Sequence, residues 1–383
     1  MKKTMLAALV GAALAPAAHA VDVKAGDWNL NVGGIVNAYY THVSCSGDAV
    51  GGLALASRGI GCGGEDNRTT IGNGLLPNGL VTSATTKQGD YDIKAHIGIY
   101  HATATDSAIA QNSEVDVRQA WFSFGNAEMG TVKLGRDNGI FGNNAIFGDM
   151  TLIGAGTPVQ ATQRGRVTLG HIGAGYAYVG YYGQIAYTSP KFSGFTLDAA
   201  LVSPVVDSPI VSAAQYSTKS QPQVQAQLSY ADGGLRAWVG GKTQKFHGVA
   251  AGAPDFTMAA YEVGAAYQYG AFGVLANFQG GKGVGILSDA DQGEVRGKHG
   301  FVQATMKTSD KLKLGIGYGI SRNDDNTLGT HGLKSNANLT LGAYYSLTSA
   351  ITLVGEIGQT RSKAFGGGDA RMNGGSFGGI LFF

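Results

Sequence analysis

The charges that could do chemistry gather between residues 92 and 149. Lys94, Arg118, Lys133 and Arg136 are the bases, and Asp92, Glu114, Asp116, Asp137 and Asp149 are the acids. Their spacing fits no catalytic or metal-binding pattern. On facing walls of a narrow passage, however, opposed charges set up a transverse field that orients and sorts solutes without breaking a bond. Strand alternation puts Lys94 and Arg118 on a polar face directly, whereas Arg136 has the opposite parity from Lys133. Arg164 and Arg166 follow further along the same stretch.

Other strings that suggest chemistry fail on context. Gly374 to Gly378 reads G-x-S-x-G around Ser376. A nucleophile elbow needs a strand-to-helix turn with an acid and then a histidine downstream, and only five residues follow. Gly59 to Gly64 reads G-x-G-x-x-G, but it lies in a loop with no helix behind it. His96 and His101 share a run with opposite parity, so they cannot hold one metal from one face. No metal site, cofactor or catalysis is expected.

The ends and the cysteines place the chain outside the cytoplasm. Met1-Lys2-Lys3, an apolar run from Thr4 to Ala15 and Ala18-His19-Ala20 have the layout of a secretory signal peptide cleaved after Ala20. Residues 21–383 then form the working domain. Cys45 and Cys62 sit in one Gly/Ser-rich stretch, and an even cysteine count in an exported chain predicts a disulfide between them. Without Lys2 and Lys3 the chain carries 26 basic and 26 acidic residues. That balance argues against a nucleic-acid partner, which calls for a basic excess.

The elements that must position the charges are strands. Charged residues make up only 14% of the chain, while glycines number 62 and tyrosines 17. From Trp28 onward the dominant period is two. Val224, Ala226, Leu228 and Tyr230 oppose Gln223, Gln225 and Gln227; Leu314, Ile316, Tyr318 and Ile320 oppose Lys311 and Lys313. Short turns such as Gly125 to Gly130 alternate with long polar loops such as Leu287 to Gly300. A soluble sandwich would keep its outer face polar. Here the apolar face is almost uncharged and often ends in Tyr or Phe, as a lipid-facing band does. Strand starts near Trp28, Leu75, Tyr91, Glu114, Thr131, Tyr182, Phe195, Gln223, Leu235, Ala260, Gly273, Phe301, Leu312, Lys334, Ile351 and Met372 predict an all-β, sixteen-stranded antiparallel transmembrane barrel. The last strand, ending at Phe383, must pair with the first, because lipid cannot satisfy an open sheet edge.

In this pattern the chain resembles the Gram-negative general porins of the β-proteobacterial type. The resemblance covers the whole processed chain and rests most on Arg118-Gln119-Ala120-Trp121 followed by Gly130 to Arg136. It implies a homotrimer in the outer membrane, in contact with lipid and lipopolysaccharide, through which small hydrophilic solutes and ions diffuse passively. It also implies a third extracellular loop, about residues 137–181, folded inward to narrow the pore. Lys94, Arg118, Lys133, Arg136, Asp137 and Asp149 are the candidates for that constriction. The loop's Phe141, Ile146, Phe147 and Met150 are expected to anchor it to the wall. An alternative within transport is a channel selective for one substrate class, such as organic or aromatic acids.

Overall fold

The computed structural model describes residues 20–101, 115–156, 168–204, 216–218, 220–325 and 332–383. The signal peptide expected at residues 1–20 therefore lies, except for Ala20, outside the described residues, as do Glu114, Arg164 and Arg166.

Nineteen strands join in one sheet. They are β1 (Val21–Ala25), β2 (Trp28–Gly47), β3 (Asn67–Gly72), β4 (Asn78–Gln88), β5 (Tyr91–His101), β6 (Val115–Asn126), β7 (Gly130–Asn138), β8 (Tyr181–Thr188), β9 (Phe195–Val202) and β10 (Tyr216–Thr218). After them come β11 (Gln223–Asp232), β12 (Leu235–Gly248), β13 (Phe256–Tyr269), β14 (Phe272–Lys282), β15 (Arg296–Lys307), β16 (Leu312–Asn323), β17 (Leu333–Ser346), β18 (Ile351–Ala364) and β19 (Asp369–Phe382). β3 and β4 form one stave interrupted at residues 73–77, and both pair with β2. β1 and β10 are short additions against β2 and β12. The result is a closed antiparallel barrel of 16 staves. Closure runs from Ala370 opposite Gly47 to Phe382 opposite Ile35. Gly34 and Phe383 then exchange backbone hydrogen bonds, so the end of the chain leaves no open edge there.

Alternation sorts the two faces. Along β13, Met258, Ala260 and Glu262 are buried inside, while Tyr261, Val263 and Tyr267 are exposed outside. Ile316 and Tyr318 on β16, Leu339 and Leu341 on β17, and Ile357 on β18 continue the outer face. An exposed surface this apolar is suited to hydrocarbon rather than water. Short turns close one end of the barrel and long connections the other.

The polar inner face is not uniformly wet. Gln223, Gln279, Asn336, Thr340 and Glu356 point inward yet are closed to solvent. Three long connections fold in and cover them, at residues 48–66, at the described residues 139–156 and 168–180, and at 283–295. The first contains α1 (Arg58–Gly61), capped by Ser57, so the glycine-rich run is a single helical turn. Cys45 and Cys62 form the predicted disulfide. Asn336 receives the backbone N–H of Leu55 and donates to the carbonyl of Leu53, seating this connection on β17. The third connection is turned by Asp291, whose carboxylate accepts the backbone N–H groups of Ile286, Leu287 and Ser288.

Ser376 stands in mid-strand, in register with Glu356 and Thr41, which removes any elbow.

Candidate functional site

The loop between β7 and β8 is the longest inward element. It contains α2 (Asn143–Gly148) and a short 3-10 turn, Met150–Ile153. Polar side chains of the wall hold its backbone. Gln225 accepts from the N–H groups of Ile140 and Phe141, and Glu262 accepts from Gly142 through both oxygens at 3.1 Å. Gln303 accepts from Met150, and Gln279 from Ala177. Glu356 accepts from Ala155 at 2.7 Å, from Gly156, and from the Tyr344 hydroxyl at 2.6 Å. The Tyr39 hydroxyl donates to the carbonyl of Ile153. The loop thus runs along the inner wall from β11 round to β2. Buried wall carboxylates and amides meet otherwise orphaned loop N–H groups, as burial requires.

Glycines make room for this contact. Gly315, Gly317 and Gly319 share the inner face of β16, alternating with outer Leu314, Ile316 and Tyr318. A Cβ on Gly319 would stand 2.0 Å from the carbonyl oxygen of Ala174, and one on Gly315 would stand 2.3 Å from the Met150 sulfur. Phe141, Ile146 and Met150 are buried, so these apolar loop side chains pack rather than present a patch to solutes.

Asp149 corrects an expectation. It was a candidate for the constriction, but it is buried at 3% exposure inside the loop. Its carboxylate receives His171 Nδ1 at 2.8 Å, the Tyr176 hydroxyl at 2.6 Å and both the N–H and hydroxyl of Thr151. Burial alone would push this carboxyl up, but neighbouring His171 and the hydrogen bonds from His171, Tyr176 and Thr151 hold it below the usual carboxylate range. Asp149 is also the only acid in residues 139–180. The loop therefore offers the lumen no carboxylate.

The remaining candidates lie on the wall from β5 to β7. Lys94 and His96 point inward from β5; opposite them on β6 stand Ser123 and Trp121. The His96 and Trp121 rings stack with centroids 5.0 Å apart, and the ammonium groups of Lys94 and Lys133 each stand 5.6 Å from the Trp121 ring centre. Arg118 is hydrogen-bonded to Asp116 at 2.8 Å and lies over the rings of Tyr100 and Tyr181 at 5.9 and 5.5 Å. Such contacts hold a cation in place while leaving its charge intact.

Register explains why so many groups crowd here. A β-bulge falls between Gly98 and Ile99, where Gly98 faces Gln119 and Ile99 faces Val117. Arg118 is the extra residue, and the inward parity switches across it. Asp116 faces in before the bulge, and Gln119, Trp121 and Ser123 face in after it. Strict alternation from Arg118 would have turned Gln119 and Trp121 outward, which is why sequence reasoning missed both. The alternation of Gln119, Trp121 and Ser123 against Phe122 and Phe124 was the signal available.

Two more candidates move. Asp137 belongs to β7 rather than to the loop. It is bound by Lys133 at 2.5 Å and by Gln119 at 2.8 Å, on the same wall as the bases and not across from them. Arg136 sits in register with Ala120 and shares the outward parity of Leu134. Its half-exposed guanidinium lies 3.9 Å from Asp116, near the loop end of the strand. Asp92 lies at the short-turn end of β5, opposite Lys87 and Gly125. Among the described residues, then, the inner face from β5 to β7 presents Lys94, Arg118 and Lys133 against Asp116 and Asp137. Acid and base interleave on one side, and no loop acid faces them.

A family model described as Gram-negative porin matches residues 6–364. No curated protein sequence matches the chain. Among solved structures, the outer-membrane channel DcaP of Acinetobacter baumannii aligns with a TM-score of 0.71 at 16% identity, covering 94% of this chain and 99% of that one. The anion-selective porin from Comamonas acidovorans aligns at 0.65 and 16% identity, with 93% and 100% coverage. Salmonella typhi OmpF, in a complex with daunomycin, aligns at 0.61 and 15% identity, with 94% and 100% coverage. At these identities the likeness is one of fold.

Proposed function

The chain belongs to the Gram-negative porin family, matched over residues 6–364, and it is an outer-membrane channel for passive diffusion; from that premise we propose that its waist favours anions. The observation that carries this reading is the fate of Asp149. The inward loop's single carboxylate is turned into the loop and satisfied there, so it cannot balance the wall. On the wall from β5 to β7, Lys94, Arg118 and Lys133 then outweigh Asp116 and Asp137, while Asp198 on β9 is held by the Thr188 hydroxyl. Lys94 is the base without an ion pair among the described residues; Asp137 reaches it only at longer range. Charges lining a narrow passage set its sign preference at short range. One neighbour by fold is a porin described as anion-selective, which supports the same reading.

On this reading residues 139–180 are the constriction loop, and solutes pass between it and the wall from β4 to β8. The gradient of the solute drives transport and no cofactor takes part. Family and fold neighbours are channels rather than enzymes. Trimer assembly is part of the proposal, and a neighbour by fold has a trimer form. So is removal of residues 1–20 on export.

The aromatic surroundings favour a second, narrower reading. Trp121, Tyr100 and Tyr181 meet the same cations that would attract an anion. That combination suits organic acids with planar groups, which would make the channel selective within the anions.

Reversal potentials in asymmetric KCl test the main reading. The wild type is expected to prefer chloride, and Arg118→Ala with Lys133→Ala is expected to move the potential towards cation preference, because Asp116 and Asp137 lose their partners. An unmoved potential would remove these residues from the waist. Block by aromatic carboxylates, absent with aliphatic ones of equal charge, would favour the second reading.

A further inference from the structure

Two lysines face each other beneath the inward loop. Lys307 ends β15, Lys313 stands at the start of β16, and the register sets them directly opposite. Parity turns both inward. On β15 they follow Gln303 and Thr305, and on β16 they share the face of Gly315 and Gly317. Gln303 binds the loop at Met150 and Gly148. Lys307 lies four residues further, about 13 Å at ~3.3 Å per residue, at the short-turn mouth of the lumen. β15 is eight staves on from β6 in a barrel of 16, so the pair stands across the lumen from Arg118.

Lysines on facing positions of adjacent strands, with Cα atoms about 5 Å apart, repel one another. At Lys87, Lys133 and Lys242 the inner face meets a lysine with an acid. Lys87 stands opposite Asp92, Lys133 binds Asp137, and Lys242 binds Asp289 at 2.5 Å. Lys307 and Lys313 have no ion pair among the described residues, and Asp310, in the turn between them, forms none either. Glu356, two strands on in β18, is taken up by Ala155, Gly156 and Tyr344.

The surroundings hold the pair in place. Lys313 is half-buried, with its ammonium 4.9 Å from the centre of the Tyr344 ring, which faces it from β17. Such a contact orients a cation without neutralising it. Lys307 is exposed at the mouth. Beside them Gln268 and Thr305 lean over Gly273, where a Cβ would stand 2.7 and 2.8 Å from their side-chain oxygens. The result is two ammonium groups beside a polar floor.

We propose that Lys307 and Lys313 form an anion station at the short-turn mouth, separate from the waist, that takes the carboxylate of a small organic solute. Two ammonium groups on facing positions match the two oxygens of a carboxylate, and the bound anion relieves the repulsion between them. A solute that has passed the waist towards the short turns meets this pair on its way out. The inference does not depend on the sign preference of the waist.

The test uses a reporter cysteine, Thr305→Cys, which shares the inner face with Lys307 two residues away. The two native cysteines are joined to each other and do not interfere. The purified channel in detergent is treated with a negatively or a positively charged methanethiosulfonate, and the modification rates are followed by mass spectrometry. The anionic reagent is expected to react faster. A unit charge about 7 Å away changes the ratio of the two rates by about fivefold, so Lys307→Gln with Lys313→Gln should lower it by about twentyfold. Each single variant should show its own share, which keeps the result readable if the double variant assembles poorly. Lys191→Gln, in the short turn between β8 and β9, should leave the ratio unchanged. Benzoate is expected to slow both reagents when the lysines are present and not when both are replaced, and uncharged benzyl alcohol is expected to slow neither. An unchanged ratio in the single and double variants would overturn the proposal. So would an absence of protection by benzoate, equal protection by benzyl alcohol, or benzoate protection that survives loss of both lysines.

Discussion

Asp149 accepts a hydrogen bond from His171 at 2.8 Å, and both side chains are closed to solvent. The pair joins two distant parts of the inward loop, with Tyr176 as a second donor. His171 in turn lies against the Phe301 ring, at 4.7 Å between centroids, and over Gly317, where a Cβ would come within 3.0 Å of it. The carboxylate therefore holds the loop's shape rather than tuning its field.

Asp149→Asn should separate these roles. The amide would aim a donor at groups that already donate, at a cost of about 1–3 kcal/mol for the group left unsatisfied. A lower thermal midpoint with an unchanged reversal potential is the expected outcome. A shift of the potential towards anions would mean that the carboxylate does act on solutes. The pH dependence follows from the sign of the shift. The native carboxyl is held below its ordinary range, so its contribution is present above the unfolded value and lost as pH falls through the native one. The stability gap between wild type and Asp149→Asn should be constant from neutral pH to about 5 and shrink only below about pH 4.

Glu356 clamps the loop at a second point. It receives Ala155, Gly156 and Tyr344, and is buried on the inner face of β18. Glu356→Ala would leave two backbone N–H groups without an acceptor, at about 1–3 kcal/mol each. The loop should loosen near residue 155 while the barrel persists. Noisier single-channel currents and faster proteolysis within residues 139–180 are the expected readouts. Quiet currents and wild-type protection would show that the other wall contacts suffice.

Much of this arrangement was legible in the residue order. Period-two alternation marks the staves, and the terminal Phe383 and the paired cysteines were readable without coordinates. The inner wall was harder to read, for a local reason. One bulged residue at Arg118 reverses which side chains face inward, and alternation counted across it misplaces Trp121 and Gln119. Asp149 was misread for a different reason. A lone acid in a loop looks solvated until its partners, His171 and Tyr176, are brought to it from more than twenty residues away. The glycines at 315, 317 and 319 carried their message openly, as a Cβ-free stripe facing inward, but its meaning depends on what lies against it.

The disulfide yields a prediction about stability alone. Cys45 and Cys62 are separated by 17 residues and are buried among apolar side chains beneath the first inward connection. Closing a loop of this length contributes about 3 kcal/mol in the chain-entropy model. Cys45→Ser with Cys62→Ser should lower the thermal midpoint and leave conductance and ion preference as they were, because the bond ties β2 to the first connection and not to β5, β6 or β7, which carry Lys94, Arg118 and Lys133. A changed reversal potential would place the first connection in the conducting path.

Gly319→Ala addresses the seat of the inward loop most directly. The backbone of β16 meets Ala174 and Gly175 with no side chain between them, and a new Cβ would stand 2.0 Å from a carbonyl oxygen that belongs to the loop backbone. Backbone cannot swing aside as a flexible side chain can, so the loop must move as a unit or the strand must bend. Overpacking of this kind costs about 1–3 kcal/mol. The loop is held at Glu262, Gln279, Gln303 and Glu356, so displacement at residue 174 should push it towards the wall carrying Lys94 and Arg118. Single-channel conductance should fall, with the sign of ion preference kept. Gly355→Ala on β18, two strands away, is the control, because nothing lies within 4 Å of a Cβ there. Equal conductance in Gly319→Ala, Gly355→Ala and wild type would show that the loop does not limit the pore.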